Sequence, residues 1–342
     1  MINQELNQVV KDLRSFGLKR YMSKKHAAHV WREKDYLDGT VDAGVIILPT
    51  RGCRWGRTSG CTMCGYVYDS DPSSSQGELV KKFEEAIGRL QGVEYLKIFN
   101  SGSFFDPKEL SSNTRQKILS MVNGRGIRRV QVESRPEFLE DKALGEAKEA
   151  SEAELEIGLG LETTNDDIRR DCINKNATLE DFKEAIDLCR RSDILVKAYL
   201  LLKPPFLTER EALRDAVNSA VEAQALGASR ISFNPVNIQR GTLVEYLWKR
   251  GEYRPPWLWS VLEVLKETAT KIKVPVLSHP TAAGRARGAH NCGRCDSEVR
   301  DAVMNFSITQ DAKFLNGPAC DCIDIWMDHL ELEQLTHGVI AR

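Results

Sequence analysis

No apolar run in this chain approaches the roughly 20 residues that a membrane span needs. Segments such as Tyr199-Leu-Leu-Leu202 have the length of buried strands. The N-terminus, Met1-Ile-Asn-Gln-Glu-Leu-Asn7, is polar and lacks the apolar core of a signal peptide. Both absences point to a cytoplasmic protein with no membrane partner. An excess of charge is also missing: 48 Lys and Arg face 49 Asp and Glu, a net charge of −1. Bulk electrostatics therefore supplies no attraction for nucleic acid, and any such binding needs a local basic patch. No G-x-G-x-x-G follows the first strand-like run, which argues against a doubly wound dinucleotide-binding sheet. There are no internal repeats, and Ser73-Ser-Ser75 is the only low-complexity patch. What remains is 342 residues with 42% hydrophobic and 28% charged side chains, a soluble globular composition with room for one large domain or two ordinary ones.

The nine cysteines are an odd number in a presumed reducing compartment, so clustered cysteines indicate metal rather than disulfides. Three of them, Cys53, Cys61 and Cys64, share the loop Arg51-Gly-Cys-Arg-Trp-Gly-Arg-Thr-Ser-Gly-Cys-Thr-Met-Cys-Gly-Tyr66, directly after the apolar run Val45-Ile-Ile-Leu-Pro49. A tetrahedral zinc site needs four ligands, and His26 or a distant cysteine would have to complete this one. Three thiolates suit a 4Fe–4S cluster that keeps one iron open for a chelating small molecule. Gly52, Gly56, Gly60 and Gly65 let the chain wrap closely, and Arg51, Arg54 and Arg57 would offset a cluster's negative charge.

Residues 1–40 read as a helical extension, with Leu6, Val9, Val10, Leu13 and Phe16 at helical spacing and a basic set of Lys11, Arg14, Lys19, Arg20, Lys24, Lys25 and Arg32. Strand-like runs follow near 43–49, 95–100, 128–134, 154–161, 194–202 and 229–236. Helical patterns separate them, and Ser75–Glu78, Thr178–Asp181 and Thr208–Glu211 look like helix starts. The runs are nearly continuous, as parallel strands covered on both faces would be. The expected architecture is α/β: a partial (β/α)6 barrel over 41–273, with its active site at the C-terminal ends of the strands.

Residues 274–342 read as a small appended α+β domain, with a strand at Ala302–Ile308. Cys292-x-x-Cys295 and Cys320-x-Cys322 are two pairs separated by 24 residues, a zinc-knuckle pattern with His290 as a spare ligand. An auxiliary iron–sulfur cluster is the rival reading. Arg285, Arg287 and Arg294 nearby suggest contact with RNA phosphates, and a metal fold that only pins the C-terminus is the plainer alternative.

The three-cysteine loop resembles the hallmark of the radical S-adenosylmethionine (SAM) superfamily, with its C-x-x-C ending after strand one. The first gap is seven residues here, Cys53 to Cys61, where three are usual, and Met63 stands where the superfamily has an aromatic. The resemblance implies that Met63 or Tyr66 makes the adenine contact. It also implies that Asn100-Ser101-Gly102-Ser103 binds the methionine amino group, that Arg135 pairs with the methionine carboxylate beside Glu133, and that Glu162 accepts from the ribose. Lys197, Tyr199, Asn234 and Asn237 are further strand-end candidates on the substrate side. Glu133-Ser-Arg-Pro136 is also similar to the Elongator radical domain.

Over its whole length the sequence resembles an archaeal group, the radical SAM subunits of archaeosine synthase. The features that carry this are 51–66, Asn100–Phe105, Glu133–Pro136, Gly160–Thr163 and the tail His290-Asn-Cys-Gly-Arg-Cys295. This implies a lyase acting on tRNA at D-loop position 15. There it cleaves the lysine N–C bond of a lysine-adducted 7-cyano-7-deazaguanine through a 5′-deoxyadenosyl radical generated at the cluster-bound SAM. Implied partners are the lysine transferase and an external electron donor. Two other readings stay open at this point: another tRNA-modifying radical enzyme such as an Elongator-like domain, and a zinc-dependent RNA-binding protein without radical chemistry.

Overall fold

In a computed structural model, which describes residues 2–21 and 27–336, the chain forms one eight-stranded sheet in sequential order. The strands are β1 (His29–Tyr36), β2 (Thr40–Leu48), β3 (Tyr95–Asn100), β4 (Arg129–Ser134), β5 (Glu154–Glu162), β6 (Leu195–Leu202), β7 (Arg230–Pro235) and β8 (Val276–Ser278). The first pair is antiparallel and every later pair parallel. The result is a half-barrel. The helices are α1 (Gln4–Tyr21), α2 (Arg54–Thr58), α3 (Gln76–Ile87), α4 (Ser112–Ser120), α5 (Asp141–Ala150), the single turn α6 (Asp166–Ile168), α7 (Leu179–Arg191), α8 (Glu209–Leu226), α9 (Leu243–Lys249), α10 (Leu258–Lys271), α11 (Asp296–Thr309) and α12 (Cys322–Thr336). No helix among the described residues is long and apolar enough to cross a membrane.

The six expected strands are β2 to β7, and the three helix starts each close a full capping box. Their side chains alternate, however. Leu96, Ile98, Val130, Val132, Ile157, Leu159, Ala198, Leu200, Ile231 and Phe233 point outward into the core under the helices. The alternate positions line the lumen and bond one another. Tyr95 donates to Gln131 at 2.6 Å and to Glu156, and Gln131 donates to Tyr199 at 2.6 Å. Lys97 pairs with Asp35 and with Glu33 at 2.5 Å, and Arg230 pairs with Asp35 at 3.1 Å. The runs are thus half-polar strands around a charged lumen rather than strands apolar on both faces.

Two further expectations are corrected. Among the described residues of 1–40, α1 is the helix and His29–Tyr36 is a strand, because Glu33 and Asp35 point inward to Lys97 and Arg230. Ala302–Ile308 is helix within α11, since Val299, Val303 and Phe306 bury one helical face. The C-terminal segment's strand is instead β8, which joins the main sheet. Met1, residues 22–26 (hence Lys24, Lys25 and His26) and residues 337–342 lie outside the described residues.

Candidate active site and metal centre

The three-cysteine loop leaves the C-terminal end of β2 and is fixed from several sides. Cys53 caps α2, its Sγ accepting from Gly56 N at 3.4 Å, while its own N–H donates to Ser101 O at 2.9 Å. The seven residues between Cys53 and Cys61 are therefore the helical turn α2 plus Ser59 and Gly60. Trp55 Nε1 donates to Asn174 O at 2.8 Å, and Asn174 Nδ2 donates to Gly60 O at 2.8 Å. Thr62 donates from N to Ile173 O at 2.9 Å and from Oγ1 to Cys172 O at 2.8 Å. Gly65 N donates to Gln239 Oε1 at 2.5 Å. Segments following β3, β5 and β7 thus converge on one loop.

All three thiols are partly accessible. Among the described residues, only Cys292, Cys295, Cys320 and Cys322 bring three or more ligand atoms within 4.8 Å of one another. Burial pushes the Cys61 thiol up to about 12 and raises Cys64 as well, so both sulfurs are protonated at neutral pH unless a metal holds them. The cations acting on them are Lys175 and Arg135 for Cys61 and Arg14 for Cys64. Two of the three arginines expected in that role face other partners: Arg54 is bound to Asp106, and Arg57 to the carbonyl of Arg51 at 3.1 Å.

The strand-end residues gather at the same place. Asn100 Nδ2 donates to Glu109 Oε2 at 3.0 Å, and its Oδ1 is buried without a partner. Ser103 donates from N to Glu109 Oε1 at 2.8 Å and accepts at Oγ from Arg135 N at 3.1 Å. Gly102 has no room for a side chain: a Cβ there would lie 1.8 Å from Glu109 Oε1 and 2.7 Å from Cys53 N. Arg135 lies beside Cys53 and Cys61 and holds Glu137 at 2.6 Å and Asn176 at 2.5 Å. Glu162 sits in the left-handed region at φ +66 on a bulge of β5, with Oε1 3.0 Å from Lys175 Nζ. Burial lifts Glu133 to about 7, with Tyr199, Lys197, Glu162 and Lys175 around it.

Met63 is buried in a small apolar cluster with Ile173, Leu201, Val236, Ile238 and Tyr253. Tyr66 is half exposed, with Cys64, Glu133 and Gln239 beside its phenol. Lys197 and Tyr199 belong to the lumen network, whereas Asn237 accepts from Gln239 at 3.1 Å. Sequence reasoning missed Glu109, Lys175, Asn174 and Gln239. None lies in a motif, and only the fold brings them to the loop.

The second centre is at the tail. Cys292 and Cys320 sulfurs are 3.8 Å apart, and those of Cys295 and Cys322 3.5 Å. Trp259 Nε1 donates to Cys322 Sγ at 3.2 Å and Asn291 Nδ2 to Cys295 Sγ at 3.4 Å, the kind of outer hydrogen bonds that orient metal thiolates. Burial opposes a charge on Cys292, yet the Arg294 and Cys295 amides and the Cys322 side chain bring its thiol down to about 6. This set of four donors can hold a metal ion. His290 is turned away, its Nδ1 2.8 Å from Gly288 O. Of the nearby arginines, Arg287 pairs with Glu245 at 2.8 Å and Arg294 with Asp321 at 3.2 Å.

Comparison with known proteins gives a consistent picture. The Radical SAM superfamily profile matches residues 47–216. The archaeosine synthase subunit beta of Methanosarcina acetivorans is 39% identical over 341 residues, which cover 97% of this chain and 98% of that one. The archaeosine synthase subunit beta of Thermococcus kodakarensis is 38% identical over 308 residues, covering 86% and 94%. Among solved structures, the queuine lyase from Clostridium spiroforme bound to SAM and queuine aligns with a TM-score of 0.47 and 22% identity, over 63% of this chain and 88% of that one.

Proposed function

The chain belongs to the radical SAM superfamily and, within it, to the family of archaeosine synthase beta subunits, and from that premise we propose that it is the radical SAM lyase of archaeosine formation in tRNA. On this reading a partner transferase joins lysine to the 7-cyano-7-deazaguanine at tRNA position 15. This chain then cleaves the lysine side-chain N–C bond and leaves the formamidine of archaeosine. One observation carries the proposal: in a chain alike end to end to those subunits, three thiols at the end of β2 meet Arg135, Glu133 and Glu162 from the ends of β4 and β5.

Membership implies a 4Fe–4S cluster and SAM, and the residues fit both. Cys53, Cys61 and Cys64, three thiols in one loop with Lys175 and Arg135 beside Cys61, would hold the cluster. Bound there, the cluster and SAM would supply the one-electron, hydrogen-abstracting chemistry that opening the lysine N–C bond requires. The protein's part is binding, orientation and exclusion of water. Arg135 offers the methionine carboxylate a fork next to Cys53 and Cys61. The unpartnered Oδ1 of Asn100 and the Ser101–Ser103 backbone suit its ammonium group. Glu162 Oε1 holds Lys175 at 3.0 Å, and its other oxygen would accept from a ribose hydroxyl. Tyr66 at the loop edge suits adenine better than Met63, which is core.

We assign Cys292, Cys295, Cys320 and Cys322 to one tetrahedral zinc ion. Sulfur pairs at 3.5 and 3.8 Å fit bonds of about 2.3 Å to a single centre. We assign residues 1–40 to an N-terminal segment that adds α1 and β1, 41–273 to the main part of the catalytic half-barrel and 274–342 to the zinc-pinned segment, which adds β8 to the sheet. Base 15 is buried in folded tRNA, so the enzyme must meet a rearranged or flipped nucleotide, at a cost of a few kcal/mol.

The test is anaerobic incubation of reconstituted protein with SAM, a reductant and lysine-adducted tRNA, following 5′-deoxyadenosine and the formamidine nucleoside together. Cofactor cleavage without change in that tRNA would defeat the archaeosine assignment. Colourless protein with zinc on the three-cysteine loop would defeat the radical one.

A further inference from the structure

The N-terminal helix α1 reaches the cysteine loop through one buried cation. Arg14 is 2% exposed. Its Nε donates to Ser59 O at 3.0 Å, and Nη2 donates to Cys64 O at 2.6 Å and Cys61 O at 3.5 Å. Its hydrogen-bond partners among the described residues are all carbonyls of this loop, and Nη1 has no partner at all. The loop is shaped to admit it. Gly60 lies at φ +107, and a Cβ there would come within 2.5 Å of Nη2. Tyr68 lies under the guanidinium, 5.0 Å from ring centre to Cζ, and donates to Gly241 O at 2.8 Å. Two turns earlier on α1, Asn7 Oδ1 accepts from Ser59 Oγ at 2.6 Å, and Ser59 Oγ also accepts from Asn174 Nδ2 at 3.1 Å.

A buried guanidinium facing only neutral carbonyls is costly unless negative charge lies nearby. Nη2 lies on the carbonyls of Cys61 and Cys64, so a cluster on the three cysteines would place negative charge beside it. The long gap between Cys53 and Cys61 also finds a use here, because α2, Ser59 and Gly60 are what α1 grips.

We propose that Arg14 is the buried counter-charge and clamp of the iron–sulfur centre, so that α1 is part of the cluster's binding site and eases the cluster's reduction. This rests on the cluster reading above. Arg14 is a positioning residue, since it acts through the loop and through its field rather than on substrate.

The experiment compares wild type, Arg14→Met and Arg14→Lys after anaerobic reconstitution. Iron content is measured, then the reduced fraction by paramagnetic resonance at fixed potential, then the rate of iron loss to a chelator. Reduction adds a negative charge, which a nearby cation stabilises. Removing one unit charge on the order of 10 Å away, at an effective dielectric near ~20, lowers the reduced-to-oxidised ratio about tenfold. Arg14→Met is expected to show that drop and faster iron loss. Arg14→Lys keeps the charge but loses the fork, so its ratio stays near wild type while its iron still leaves faster. A wild-type ratio in Arg14→Met overturns the proposal, and so does an equal drop in Arg14→Lys. Should Arg14→Met fail to fold, the Lys variant decides by the same ratio. A wild type that binds no cluster on Cys53, Cys61 and Cys64 sinks the earlier reading instead.

Discussion

Glu109 gathers three donors from two segments, and its removal gives a measurable forecast. The carboxylate is 1% exposed. It accepts from Thr50 Oγ1 at 2.5 Å, Asn100 Nδ2 at 3.0 Å and Ser103 N at 2.8 Å. Thr50 leads into the cysteine loop, and Ser103 lies two residues after Ser101, whose carbonyl holds Cys53 N. In Glu109→Gln one amide oxygen can serve Thr50 and Asn100, but the amide nitrogen then faces the N–H of Ser103. One buried donor left unsatisfied costs about 1–3 kcal/mol. Burial already raises this carboxyl above the usual range despite its donors, so a neutral side chain recovers part of that cost. The net expectation is about 1–2 kcal/mol for Glu109→Gln and about 3–5 kcal/mol for Glu109→Ala, which strands all three donors. Urea denaturation reads the stability. Equilibrium dialysis of SAM against reconstituted protein reads the site, where a loosened 100–103 segment should weaken binding by about tenfold or more, that is at least ~1.4 kcal/mol. Gly102→Ala should copy the defect by pushing Glu109 away. If Glu109→Ala binds SAM as wild type does and unfolds within about 0.5 kcal/mol of it, Glu109 is not the organiser of this loop.

Lys203 has no exposed surface, sits at φ +62, and lies 2.5 Å from Glu209 and 3.9 Å from Glu333. Lys203→Met leaves the buried Glu209 carboxylate without its cation, while Glu333 keeps His329 at 3.0 Å, and should cost about 3–5 kcal/mol in a denaturant titration; a change below about 1 kcal/mol would show that the pair is offset by its desolvation. Burial holds His279 down at about 4, among Lys97, Lys197, Asp35 and Glu33. The unfolded chain therefore binds a proton at His279 that the folded one does not. Stability should fall as pH drops from about 6.5 to about 4. His279→Gln should flatten that limb in pH-dependent melting, and an unchanged slope would clear His279 of the effect.

Legibility followed local pattern. Strands β2 to β7 were readable because their outward residues are apolar and helices intervene. β1 was not, because its inward residues, Glu33 and Asp35, are satisfied by cations from β3 and β7. Helix α1 was visible, but not its docked face. Val9 and Phe16 are 47% and 58% exposed, whereas Val10, Arg14 and Gly17 are buried, so the helix seats through hydrogen bonds rather than an apolar stripe. At the site, motif residues and strand ends announced themselves. Glu109, Lys175 and Arg14 come from segments whose arrival at the loop depends on topology.

The tail cysteines support a last argument, about closure of the half-barrel. Helix α11 packs against both β1 and β8, the first and last strands of the sheet. Ser307 Oγ accepts from Ser278 N and donates to Ser278 O, each at 2.9 Å. The Gln310 amide accepts from Val276 N at 3.0 Å and donates to Val276 O at 2.9 Å, pairing with β8 as a further strand would. Thr40 Oγ1 donates to Ile308 O at 2.5 Å. The opening between the sheet's edges is thus filled by α11, whose cap is Cys295, while Cys322 begins α12. A metal on these sulfurs joins the starts of both helices, and such sites contribute on the order of 10 kcal/mol of binding free energy. That rivals the whole stability of a typical domain, roughly 5–15 kcal/mol. Cys322→Ser should therefore abolish zinc in metal analysis while leaving iron unchanged. It should also speed amide exchange in Val276–Ser278 and His29–Tyr36 well before the central strands open. If exchange there stays slow and only tRNA affinity falls, the tail metal serves RNA contact and α11 closes the barrel without it.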